Sequence, residues 1–422
     1  MDVLLFRALS LLGLAILVAL AARRLRLPYT VGLVLAGAAL AATRSHAGLA
    51  LTHDLIFDVV LPPLLFEAAL NLSWNDLKRD LLPVAALSTI GVALCAAVVA
   101  GGLVAGLDWP IESALVFGAL ISATDPIAVI ALIKESKVTG RLSLLIEAES
   151  LFNDGAAAVL FTLILVWAAH SPGNAQDPLA ALTTFLMVAG GGLAAGFGVG
   201  LIAVMVAGTS EDHLVETALT VVAAFGSFLV AEHFGASGVL ASVVAGMTMG
   251  NLGVLTPKVR FGLSITPHGR AFVLEFWEFA AFLANSLVFL LIGSAMATID
   301  FAREGFLALT LVVALALLGR AVAVYPVCLA FLRSRWAVPL NQQHLMWWGG
   351  LRGALALALA LALPADLPRR DDILISAFAV VAFSVIVQGL TAPLALKAAR
   401  VTPKQRGRTA VRDARGRPIE PS

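Results

Sequence analysis

The stretch "ISATDPIAVIAL", residues 121–132, decides how this chain is read. It sets an Asp-Pro step in the middle of an apolar run. Pro126 has no backbone N–H and disfavours helix at the residue before it. Asp125 is a charge that is costly to hold in hydrocarbon. A helix broken at this point offers something in return. The break frees carbonyls that can coordinate a cation, and it exposes the positive end of a half-helix that an Asp can neutralise.

The rest of the sequence supplies the membrane. Of 422 residues, 60% are hydrophobic and only 13% are charged, with a mean hydropathy of +0.95. Apolar runs long enough to cross a bilayer recur throughout, which indicates an all-α polytopic membrane protein. Thirteen spans are expected, near 2–22, 28–43, 50–70, 82–106, 111–134, 143–169, 178–207, 213–233, 236–252, 270–298, 304–332, 343–364 and 371–398. The second and ninth are short. Residues 2–22 imitate a signal peptide, but no small-residue cleavage site precedes a soluble domain, so they read as the first span.

The loop charges give an orientation. With the N-terminus outside, 13 Lys and Arg fall in the inside loops and four in the outside loops (Arg44, Arg303, Arg369, Arg370). The basic tail after the last span adds eight more inside. This bias fits an odd span number with the N-terminus out and the C-terminus in. The tail, rich in Pro, Gly and Arg, reads as disordered, and it acts as a topology determinant or is drawn to anionic lipid.

Several chemistries are absent from the sequence. Cys95 and Cys328 lie in apolar segments and form no CxxC, so they read as small buried hydrophobes. The seven histidines form no HxxxH or HExxH pattern. "GLRGALAL" lacks the Lys-Ser/Thr ending of a phosphate loop. No cofactor is expected.

A second interruption, Gly349-Gly350…Gly353, falls in span 12, seven spans after the first. Paired broken helices at matching places in spans 1–6 and 8–13 point to inverted repeats and a midplane site in a secondary transporter.

The polar residues inside spans are the candidate machinery. In span 6, "LSLLIEAESLFNDGAAAVLF", Asp154 lies thirteen residues past Arg141. That is about 20 Å of helix, well inside the hydrocarbon layer. Ser150 and Asp154 share a face with Glu147, while Glu149 and Asn153 form an adjoining stripe. Helix packing alone would need no carboxylates, so Asp154 is the leading functional candidate. In span 5, Thr124, Asp125 and Pro126 supply the interruption. Arg320 and Arg352 each require a counter-charge in an apolar segment, with Glu149 an obvious partner for one of them. Glu67 follows the double proline of span 3. It gates access, reaches the ion through water, or snorkels to the interface. Glu275 and Glu278 share a face of span 10, lining a wet funnel or lying near an interface.

At these residues the sequence resembles a known family. "TDP" at 124–126, "ESLFNDG" at 149–155, Arg320 and "GGLRGA" at 349–354 are similar to motifs of the monovalent cation:proton antiporters, in the sodium/proton exchanger branch with NhaP-type proteins. The resemblance covers roughly residues 1–400. It implies an NhaA-like antiporter fold and a homodimer whose six-helix core moves against a scaffold in an elevator-like cycle. The scaffold would comprise residues 1–78 and 173–302, the core 79–172 and 303–398, and the tail 399–422. Asp154 would bind either cation or proton; Asp125, Ser150 and Thr124 would complete the metal (Na⁺) shell, with Glu67 reaching it through water. Asn153, Glu149, Arg320, Arg352 and Pro126 would organise the core, with Glu149 paired to Arg320.

The chemistry of exchange follows. Burial favours the neutral form of a carboxylate and a bound cation favours the charged form, so proton and cation compete. The electrogenic branch has a second Asp where this chain has Asn153. A single competing carboxylate therefore predicts one H⁺ for one Na⁺ (or Li⁺), without net charge movement. A K⁺/H⁺ antiporter of the same fold is the alternative. A cation channel fits less well, because channels show repeated pore loops or rings of identical acidic residues. An intramembrane enzyme would need a catalytic pair, and no histidine accompanies Ser150. The expected location is the cell membrane.

Overall fold

In the computed structural model the described residues are 2–25, 27–42, 51–135, 140–168, 178–210, 212–254 and 267–399. The tail from residue 400, and Arg26, Arg44, Lys137, Lys258 and Arg260 of the loop-charge pattern, lie outside them. The regular structure of the described residues is all helical, with no strand among them. In chain order the helices are α1 (Asp2–Leu25), α2 (Tyr29–Ala42), α3 (Leu61–Leu70), α4 (Trp74–Ala86), α5 (Val92–Leu107), α6 (Ile111–Ser122), α7 (Ile127–Glu135), α8 (Arg141–Ala168) and α9 (Pro178–Phe185). They continue with α10 (Gly191–Ala207), α11 (His213–His233), α12 (Gly238–Met249), α13 (Pro267–Met296), α14 (Phe306–Ala330), α15 (Leu340–Trp348), α16 (Ala354–Leu361), α17 (Arg370–Phe383) and α18 (Gly389–Ala398).

These helices map onto the thirteen expected spans. α4–α5, α9–α10 and α17–α18 are joined through π-helical runs at Leu87–Gly91, Leu186–Gly190 and Ser384–Gln388, and α4 is kinked at Asp80. Two further π-helical runs, Leu55–Val60 and Gly250–Val254, precede α3 and follow α12. The run before α3 has a local cause. Pro62 and Pro63 cannot donate to the turn behind them, and the Leu61 N–H reaches five residues back to the Ile56 carbonyl. The interrupted spans 5 and 12 are the pairs α6/α7 and α15/α16. Each breaks into non-helical backbone, at residues 123–126 and 350–353.

Small residues let the helices approach closely, since no hydrophobic force drives them together in lipid. α2 and α13 cross backbone to backbone at Gly37 and Gly293. A Cβ on Gly37 would meet the Leu290 carbonyl oxygen at 2.0 Å, and one on Gly293 would meet that of Val34 at 2.0 Å. Larger apolar side chains remain on the outside of the bundle, among them Leu193, Phe197 and Ile202 of α10.

One end of the bundle is tied together by polar contacts. Arg141, opening α8, donates Nε to Asp80 at 2.8 Å and its terminal nitrogens to the Trp336 and Ala337 carbonyls. Trp336 Nε1 returns a bond to the Arg79 carbonyl. Lys78, Arg79, Arg333 and Arg335 belong to this same basic end.

Candidate ion-binding site

The two interrupted spans cross, and the crossing is built from helix ends. The last carbonyls of a helix have no partner within it, and in a bilayer interior no water supplies one. The sequence solves this twice. For α6, the Ala119 carbonyl accepts from Ser122 Oγ, the Ser122 and Ala123 carbonyls both accept from Arg352 at 3.0 Å, and the Thr124 carbonyl accepts from Ser150 Oγ at 2.6 Å. For α15, the Met346 carbonyl accepts from Arg320 at 3.1 Å and the Trp348 carbonyl from Gln388 at 3.0 Å. Each arginine thus meets the negative end of one half-helix.

The positive ends converge on Asp125. Its carboxylate accepts the Ile127 N–H of α7 at 3.1 Å, and its own N–H donates to the Leu351 carbonyl at 2.7 Å. It also lies against Gly353, the residue before α16: a Cβ there would meet Asp125 Oδ2 at 2.3 Å. Only glycine permits this approach.

The second helix of the site is α8. Glu149 and Arg320, both buried, form a bidentate pair at 2.7 and 2.9 Å. Asn153, fully buried, donates Nδ2 to Glu149 at 3.0 Å and to Thr124 Oγ1 at 2.6 Å, while its Oδ1 accepts the Thr124 N–H at 3.2 Å. The amide therefore bolts the broken strand of span 5 to α8. Its face of α8 is structural, and the adjoining face is not. Glu147, Ser150 and Asp154 turn toward a cavity of about 300 Å³, together with Thr124, Asp125, Pro126 and Gly353. Asp125 and Asp154 are partly exposed, as part of the lining of this cavity.

Opposite them, α3 contributes Leu61, Leu64, Leu65 and Glu67. Asn71, exposed at the end of α3, donates to Glu67 Oε1 at 2.9 Å and also lines the cavity. The cavity therefore runs from Asp154 toward the end of α3 and the start of α8, the basic end of the bundle. Away from that end, His53 Nδ1 contacts the Ala358 carbonyl at 3.0 Å, His53 stacks on Phe57, and Phe57 meets Phe228 edge to face.

The structure thus gathers Asp154, Asp125, Ser150, Thr124, Glu67 and Pro126 around one cavity. Asn153, Glu149 and Arg320 stand directly behind it. Two expectations need correction. Arg352 makes no direct ion pair with a carboxylate among the described residues; it bonds to the α6 helix end and contacts Cys95 Sγ at 3.7 Å, and the Glu149 charge acts on it without contact. The carbonyls freed by the Asp-Pro break are largely spent on Arg352 and Ser150, and Thr124 keeps one lone pair for a ligand. Glu275 and Glu278 are exposed on α13 and do not line the cavity. Sequence reasoning missed Asn71, and it missed Asn285 of α13, another lining residue. An Asn within "FLANSLVF" was the available signal.

Residues 11–398 match the family model described as sodium/hydrogen exchanger, transmembrane. Among characterised proteins, the chain is 39% identical over 385 residues to the Na⁺/H⁺ antiporter ApNhaP of Aphanothece halophytica, covering 90% of this chain and 71% of that one. It is 36% identical over 398 residues to the Na⁺/H⁺ antiporter NhaG of Bacillus atrophaeus, covering 92% and 73%. The fold is shared with the sodium proton antiporter MjNhaP1 of Methanocaldococcus jannaschii, at a TM-score of 0.72 and 21% identity, over 94% of this chain and 100% of that one. This protein belongs to the transmembrane sodium/hydrogen exchanger family.

Proposed function

We propose that the protein is a Na⁺(Li⁺)/H⁺ antiporter that exchanges one proton for one cation at Asp154, without net charge movement and without a resident cofactor. The observation that carries this reading is the division of labour on α8. Asn153, uncharged, is consumed by Thr124 and Glu149, while Asp154, one residue on, opens into the cavity beside Asp125 and Ser150. A carboxylate in such a place binds a proton or a cation but not both. Its two loaded forms carry the same charge, because Asp125 and the Glu149–Arg320 pair stay fixed.

The remaining oxygens suit a hard monovalent cation. Ser150 keeps its lone pairs after donating to Thr124, and Glu67 stands across the cavity, within reach through water. Exchange then requires that the site face each side in turn. The crossing helices with α4–α5, α8, α14 and α17–α18 would form the moving core (79–172 and 303–398), and residues 1–78 and 173–302 the scaffold of a homodimer. The cavity at the basic end would be the cytoplasmic access path, in a cell membrane, with the N-terminus outside. Net exchange of this kind would serve pH homeostasis.

The test is dequenching of a pH-sensitive dye in everted vesicles, scanning Na⁺, Li⁺ and K⁺. Na⁺ and Li⁺ should dissipate the imposed gradient and Asp154→Asn should abolish the response. Dissipation by K⁺ alone would replace the cation, and full exchange by Asp154→Asn would refute the site. A steady voltage-dependent exchange current in proteoliposomes would overturn the one-to-one ratio.

A further inference from the structure

The scaffold (1–78 and 173–302) and the core (79–172 and 303–398) meet through apolar contacts at two glycines. Gly155 of α8 faces Leu240 of α12, and Gly389 of α18 faces Val31 of α2. The half-helix α16 meets the scaffold differently. Among the described residues, one side-chain hydrogen bond joins α16 to the scaffold, from His53 Nδ1 to the Ala358 carbonyl at 3.0 Å. A carbonyl can only accept, so this ring nitrogen carries the proton.

The bond stands on the side of the site away from the cavity's basic end. Leu355 and Ala356 of α16 line the cavity, and Ala358, fully buried, lies beyond them. His53 rests on Phe57, which meets Phe228 of α11. The helix does not depend on the contact, because the Ala358 carbonyl already accepts the Ala362 N–H at 3.1 Å. Releasing His53 therefore orphans no buried acceptor, and the partly exposed imidazole can be met by water. Apolar contacts are non-directional and re-form after a slide. A hydrogen bond weakens steeply once its angle is lost. The boundary at α16 thus has one position that a directional contact favours, and the contact can open at low cost.

We propose that His53 is a latch between scaffold and core, its bond to Ala358 holding α16 where it closes the site on the side away from the basic end. This deepens the antiport reading and rests on it. When the core moves to expose the site on that side, the bond breaks, and it re-forms on the return. The latch sets the balance between the two exposures and touches neither cation nor proton at Asp154.

The experiment measures Na⁺/H⁺ exchange by the full-length chain in right-side-out and everted vesicles, so that Na⁺ is presented to each side in turn. His53→Phe keeps a ring against Phe57 and removes the donor, and His53→Asn restores a donor. A site binds from one side in proportion to the fraction of protein that faces that side. His53→Phe should therefore lower the KM for Na⁺ on the side away from the basic end by about 2- to 12-fold, the factor that one ordinary neutral hydrogen bond supplies. The KM on the basic side should not fall, and His53→Asn should reverse part of the change. An unchanged KM on the far side overturns the proposal. So does a loss of maximal rate and thermal stability with both KM values constant, which would mark a purely structural imidazole. The antiport reading fails in a different observation: wild-type vesicles of both orientations in which no monovalent cation moves protons would remove that reading and the latch with it.

Discussion

The N–H of Asp125 donates to the carbonyl of Leu351 at 2.7 Å, so the backbones of the two interrupted spans are joined directly at the point where both lose their helices. Around that bond, the positive helix ends face a carboxylate and the negative ends face guanidinium groups. Each predicted perturbation below removes one of these pairings.

Arg352 is a helix cap without a carboxylate. Arg352→Met should orphan the Ser122 and Ala123 carbonyls, at about 1–3 kcal/mol for each buried acceptor. Thermal unfolding in detergent should show a clear drop for Met and a smaller one for Arg352→Lys, which keeps a donor. A Met variant as stable as wild type would remove the capping role.

The Glu149–Arg320 pair is buried and bidentate. Glu149→Gln leaves a cation without its charge partner and should cost about 3–5 kcal/mol. The double variant Glu149→Leu/Arg320→Met should recover much of this, since an ion pair replaced by packed apolar groups is often neutral. A double loss equal to the sum of the two single losses, measured as a double-mutant cycle, would show that the two residues act independently.

Gly353→Ala tests the closeness of the crossing. The added methyl would lie 2.6 Å from Asp125 Cβ and 2.3 Å from its Oδ2, so the carboxylate must shift. Exchange should fall by roughly 10- to 100-fold, as small misplacements of a reacting group do, while expression and detergent stability hold. Undiminished exchange would mean that Asp125 tolerates displacement and is not an ion ligand.

Glu304 lies in the loop between α13 and α14. Its pKa is raised to about 7, by partial burial first and then by a hydrogen bond and the charge of Asp372. The folded loop therefore holds this proton more tightly than the unfolded chain does. The contact is complete below the ordinary carboxylate range and is lost as pH rises through about 7. Hydrogen exchange over residues 300–305 should speed up between about pH 6 and pH 8 beyond its chemical pH dependence, and Glu304→Gln should remove that excess. An identical excess in the variant would assign the effect elsewhere.

Much of the site could be read before any coordinates. The thirteen spans follow from hydrophobic length, Glu149 stood out as the counter-charge of one of the two buried arginines, and the family resemblance implied that this one is Arg320. The i,i+4 spacing of Ser150 and Asp154 put both on the face that lines the cavity. The π-helical runs were not legible, because an i→i+5 turn has no composition of its own. Neither was the partner of Arg352. Counter-charges are visible in a sequence as residue types, whereas a helix end that serves as one is not.

The sequence by itself determined that this is a membrane protein with two broken helices and a carboxylate in mid-span. Each of those features costs free energy in a bilayer and so stands out against an apolar background. Only the tertiary structure decided which groups compensate which. Arg352 is bonded to carbonyls 229 and 230 residues away, and Asn285 faces a cavity whose opposite wall comes from α8. Such pairings arise where separate helices pack, and local sequence carries no record of that distance.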